Sequence, residues 1–162
     1  MRQALVAGLF VVFGVVSPAD SVVIPLVDPA DPVKIAGARI EFVDDIHPVM
    51  LVELENLTEQ PVETQHVWLH FARFYTKSEM DRAGNRKVWD CATITTARLR
   101  QAPTQIAPGG RVTVLETLPC ESNRAHEHFF VEVTRIGDSS LPWFKRTPDD
   151  FVRLLNAAMP HD

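Results

Sequence analysis

VMLVELENLTEQPVETQHVWLHFARFY, residues 49–75, decides how the rest of the chain is read. In its first part Met50, Val52 and Leu54 alternate with Glu53 and Glu55, the period-two pattern of a strand with one wet face. ENLTEQPV then turns the chain. From Val62 to Tyr75 the text is apolar on both faces, as expected for a long strand lying centrally and covered on both sides.

The same alternation extends in both directions. Upstream, ARIEFV sets Ile40 and Phe42 against Arg39 and Glu41, and predicts a half-buried strand. Downstream, TKSEMDRAGNR is polar and turn-rich; VWDCATITTARL is β-branched and predicts a strand. APTQIAPGG is the next turn, RVTVLETL the next strand and HFFVEVTRI the last. Strands at this spacing, with turn chemistry between them and no helical period, predict an all-β antiparallel sandwich of about seven strands over residues 38–146. After Trp143 the pattern changes. Thr147 suits an N-cap, Pro148 the first helical position, and Asp149 and Asp150 the positive end of a helix dipole. A short C-terminal α-helix is therefore expected over 147–159, with Phe151, Leu154, Leu155 and Ala158 on one face that packs back onto the sheets.

The amino-terminal end reads differently. Arg2 precedes an apolar run from Ala4 to Val16, and Ser17-Pro18-Ala19 supplies small residues, which marks 1–19 as a secretory signal. The run is shorter than the roughly 20 residues of a bilayer span, so no membrane span is expected in the mature chain. Residues 20–37, dotted with Pro25, Pro29 and Pro32, form an extended lead-in in which short strands fit. With Arg2 removed, 15 basic side chains face 21 acidic ones, a net charge of −6, and no Lys/Arg cluster stands out. Nucleic acid and anionic membrane surfaces are poor partners for such a chain.

An exported chain with two cysteines, Cys91 and Cys120, and no CxxC is expected to hold one structural disulfide. The midpoint of the pair falls inside APTQIAPGG. If the flanking strands pair as a hairpin about that turn, the bond clamps its open end; the competing arrangement is a bridge between sheets.

VELENLTEQPVETQHVWLHF, the Gly84 loop, the APGG turn and the closing VEVTRIGDSSLPW together resemble the layout of bacterial secreted immunoglobulin-like domains, over roughly Ala38 to Trp143. In place of that family's aromatic-Leu-Tyr-Asp signature after the long strand, this chain has FARFY. The resemblance implies an immunoglobulin-like topology, an exported location, periplasmic or extracellular, and a role in binding or scaffolding.

HEHFFVEV, residues 126–133, is the segment closest to chemistry. With Val131 and Val133 facing the core, His126, His128, Phe130 and Glu132 project from the opposite face. Two histidines at this spacing can share one Zn or Cu ion, but a site needs three or four ligands, and Glu132 lies about 13 Å from His128 along a straight strand. Further ligands would come from His66 and His70, which share a face of the long strand with Trp68, or from His47. GDSSL at 137–141 has the letters of a hydrolase serine block but lacks the Asp-x-x-His that would activate it, so it reads as a turn. Asp44-Asp45 reads as a turn and Asp149-Asp150 as dipole charge; neither has the through-space geometry of paired-carboxylate catalysis. Asn56-Leu57-Thr58 is a glycosylation sequon.

No nucleophile, base and oxyanion-donor set assembles. The sequence therefore leads to a non-enzymatic, cofactor-free exported module that binds or scaffolds another envelope protein or a surface polymer. The alternative is a periplasmic copper or zinc binding protein using His126 and His128.

Overall fold

The computed structural model of the chain describes residues 21–44, 46–75, 89–97, 104–122, 127–138 and 140–158. The expected signal segment 1–19 and His126 lie outside them. The described residues are mostly β with one short helix. The strands are β1 (Val22–Leu26), β2 (Val33–Phe42), β3 (Pro48–Asn56), β4 (Val62–Glu63), β5 (Val67–Phe74), β6 (Trp89–Thr96), β7 (Gln105–Ile106), β8 (Arg111–Thr117), β9 (His128–Gly137) and β10 (Pro142–Lys145), followed by α1 (Pro148–Ala158). Ten strands among the described residues replace the expected seven or so, because short pieces such as β4, β7 and β10 carry too few residues to show a period.

Two main sheets enclose one core. The first has the order β1-β9-β5-β6, with β10 also paired to β9; the second has the order β2-β3-β8; β4 and β7 form a small separate pair. Val33, Ile35, Met50, Val52, Leu54 and Val114 of the second sheet meet Leu69, Phe71, Phe129, Val131 and Val133 of the first. The alternation of 49–56 is realised as read: Met50, Val52 and Leu54 are buried and Glu53 and Glu55 are partly exposed.

Two expectations need correction. Val62 to Tyr75 is not one strand: a 3₁₀ turn at Thr64–His66 separates β4, which pairs with β7, from β5, which pairs with β6 and β9, and the Thr64 N–H and hydroxyl on the Thr104 carbonyl, 2.9 and 3.2 Å away, extend the β4–β7 register up to the turn. The first sheet is mixed, not purely antiparallel, since β1, from the proline-dotted lead-in, runs parallel to β9. Along β9, β1 pairs with 128–132 and β10 with 135–137, so the two short strands share the edge opposite β5.

The helix forms where its signals stand. Thr147 Oγ1 accepts a hydrogen bond from the Asp150 backbone N–H at 3.1 Å and donates to the Asp150 carboxylate at 2.6 Å, satisfying a donor that the first helical turn leaves open. Phe151, Leu154, Leu155 and Ala158 then lie on Ile24, Leu26, Ala72, Phe74, Trp89 and Phe130, forming a second apolar cluster. Where α1 lies, the first sheet is thus covered on both faces.

Candidate functional site

Covering the second face changes the meaning of HEHFFVEV. Phe130 and Glu132 do point away from the main core, but into the layer beneath α1, and Glu132 is only 3 % exposed. A carboxylate there needs partners, because an uncompensated buried charge is expensive. His70, directly opposite on β5, places Nδ1 3.0 Å from Glu132 Oε1. Arg146, just after β10, brings Nε to 2.8 Å from Glu132 Oε2 and Nη2 to 2.8 Å from Asp31 Oδ2. Asp31 in turn accepts the backbone N–H of Asp28 at 2.8 Å. All four side chains are buried, and the His70 ring packs edge-on against Phe130 and beside Phe151 of α1. Four separate pieces of chain are joined by one run of polar contacts.

A second polar group closes the end of the main core. Arg73 forks onto Asp90 (2.8 and 2.9 Å) and reaches Glu127 at 2.6 Å; Tyr75 donates to Asp90 at 2.6 Å and Ser122 to Glu127. The paired carboxylates hold the Arg73 guanidinium in its charged form, while burial and then the Asp90 bond push the Tyr75 phenol above its ordinary range. Beside this group lies the Cys91–Cys120 disulfide, with Cα atoms 5.5 Å apart. It does not clamp a hairpin. β6 pairs with β5 and the strand before Cys120, β8, pairs with β3, so the bond ties the two sheets together. A β-bulge makes this possible: Phe71 faces Thr93 but Arg73 faces Asp90, and the extra residue leaves Cys91 at φ 54°, turned toward the core.

The histidines do not converge. His128 opens β9 opposite Phe74, with its ring against that of Phe74, and its Nδ1 is buried without a hydrogen-bond partner. His70 stands opposite Glu132, four residues further along β9 and about 13 Å away. His66 sits on the 3₁₀ turn, half exposed, near Glu63, and His47 bonds Asp44 on an exposed loop. No group of three His, Cys, Asp or Glu within reach of one ion occurs among the described residues.

The remaining motifs resolve into turns. Asp138 Oδ1 accepts both the N–H and the hydroxyl of Ser140, which lowers the Asp138 pKa; Ser139 of GDSSL lies outside the described residues. Asn56 of the sequon is fully buried: its amide donates to the carbonyls of Gln60 and Ile106, and its oxygen accepts from Thr58. Its backbone pairs with Gly109 and Gly110, so this asparagine stitches the ENLTEQP turn to the APGG turn and offers no free amide to a sugar.

Asp31, Glu132 and Arg146 escaped the sequence reading. One signal for them exists: a glutamate inside HFFVEV, facing the same way as Phe130, calls for a cation if both faces of that strand are buried. Among the described residues no helix is long and apolar enough to cross a membrane. No protein-family model matches the chain, and neither does any curated protein or solved structure.

Proposed function

We propose that this protein is an exported, non-enzymatic β-sandwich of immunoglobulin-like layout that binds or scaffolds another component of the cell envelope. The observation that carries this reading is the use made of its ionisable side chains. His70, Glu132, Arg146 and Asp31 are consumed in one buried network, and Arg73, Asp90, Tyr75 and Glu127 in another, so the groups that could act as acid or base hold the fold together. A cross-sheet disulfide supports an oxidising destination, and the secretory pattern of residues 1–19 supports the route. Cross-linking the tagged chain in its own envelope, followed by recovery under denaturing conditions, tests the role. One stoichiometric partner or polymer supports binding; a chain that cross-links to nothing argues against it.

A metal-binding role remains the second reading, favoured by one observation: the unpartnered Nδ1 of His128.

A further inference from the structure

Six arginines occur among the described residues. Arg39, Arg73, Arg111, Arg146 and Arg153 each pair with a carboxylate. Arg135 does not. Its guanidinium carbon lies 4.0 Å from the centre of the Trp68 ring, and its Nε is buried without a hydrogen-bond partner. The register supplies its neighbours. Arg135 stands opposite Trp68 on β5 and opposite Lys145 on β10, so Lys145, Arg135 and Trp68 form one row across three strands, about 10 Å long at ordinary strand spacing. Lys145 also has no carboxylate partner among the described residues. Next to the row, Trp143 is 57 % exposed, while Phe144 between it and Lys145 packs on the core. The Trp143 ring lies over Gly137, where φ is 111° and a Cβ would stand 2.9 Å from Trp143 Cδ1.

Two cations without a carboxylate partner among the described residues, on a protein of net charge −5, mark a place for an anion. The Trp68 ring, 4.0 Å from its guanidinium carbon, restrains Arg135, which readies it for a carboxylate. The exposed indole beside it offers a flat face with partial negative charge, which attracts the C–H-lined face of a sugar ring. An extended peptide would instead call for side-chain pockets along its path. We infer that Lys145 and Arg135, with Trp143 beside their row, bind an acidic polysaccharide, with a uronate carboxylate on Arg135 and Lys145 and the adjoining sugar ring on Trp143. This rests on the reading of the protein as a binding module and names the chemistry of its ligand.

Calorimetric titration of the full-length chain with trigalacturonate tests it, beside the methyl-esterified trisaccharide, an oligoglutamate peptide and phosphatidylglycerol vesicles. The inference expects saturable binding of trigalacturonate alone, weakened several-fold between about 50 and about 500 mM NaCl. It expects at least a roughly tenfold loss in Arg135→Gln and in Trp143→Ala, the latter at an exposed position with an unchanged melting temperature. No saturable binding, equal binding by the variants, or a preference for the peptide or the vesicles overturns it. If the envelope cross-linking still yields a partner in Trp143→Ala, the binding role stands and only this site is lost.

Discussion

Arg146 and Asp31, 115 residues apart in the chain, lie 2.8 Å from each other beneath the sheet edge and are both almost fully buried. The same guanidinium serves Glu132, so one cation neutralises the lead-in, the last long strand and the start of the helical segment together. Removing it leaves two buried carboxylates uncompensated. Arg146→Met should therefore destabilise the protein by about 3–5 kcal/mol, read as a shift in the urea midpoint. A change within a few tenths of a kcal/mol would mean that the network does not hold these segments.

The helix is tied down by exposed groups whose contribution depends on acidity. Bonds from the Thr147 hydroxyl and then Arg153 lower the Asp150 pKa, and the Ala30 N–H and then Arg153 lower that of Asp28. A carboxyl with a depressed folded pKa contributes stability above its unfolded value and loses it as pH falls through the folded one. The melting temperature should fall more steeply between about pH 5 and about pH 3 in the wild type than in Asp150→Asn. Thr147→Ala should cost about 1 kcal/mol at neutral pH. Parallel pH curves, or an unmoved denaturation midpoint, would place α1 outside the cooperative fold.

The cross-sheet disulfide closes a loop with a sequence separation of 29, worth about 3.5 kcal/mol in the chain-entropy account. A Cys91→Ala, Cys120→Ala double variant should lose stability of that order in chemical denaturation. A loss confined to a few tenths of a kcal/mol would show that the sheets are held without the bond.

Much of this architecture was legible because one face of a strand differed from the other. β3 announced itself through Met50, Val52 and Leu54 against Glu53 and Glu55, and α1 through Thr147, Pro148 and its apolar face. The layer under α1 was not legible, since nothing in HFFVEV tells whether its second face meets water or Phe151. The sequence alone turns Glu132 away from the core without saying what it meets. The parallel pairing of β1 is hidden for another reason: the strand lies in a proline-dotted lead-in, and its partner is more than a hundred residues away. The 3₁₀ break at Thr64–His66 marks where the chain leaves β7 for β6 and β9, a change of partner no local window contains. Of the candidate ligands, His126 lies outside the described residues, and His66, His70 and His128 sit on different parts of the structure. The aromatic and basic row at Arg135 arises only once β10 aligns Lys145 beside it.

Metal titration separates the two functional readings. With His70 engaged by Glu132 and His66 on a separate turn, His126 and His128 should bind Cu(II) or Zn(II) weakly and leave the melting temperature unchanged. Sub-micromolar stoichiometric binding, lost in a His126→Ala, His128→Ala variant and accompanied by a rise in melting temperature, would put the metal reading first.

Every functional statement depends on the chain reaching an oxidising compartment with its two sheets locked together. Intact mass of the protein recovered without reductant from its own cell envelope tests this most directly. The account predicts a chain beginning at Asp20 and lighter by two protons than its reduced form. Recovery of a chain that keeps Met1 and carries two free thiols would contradict it.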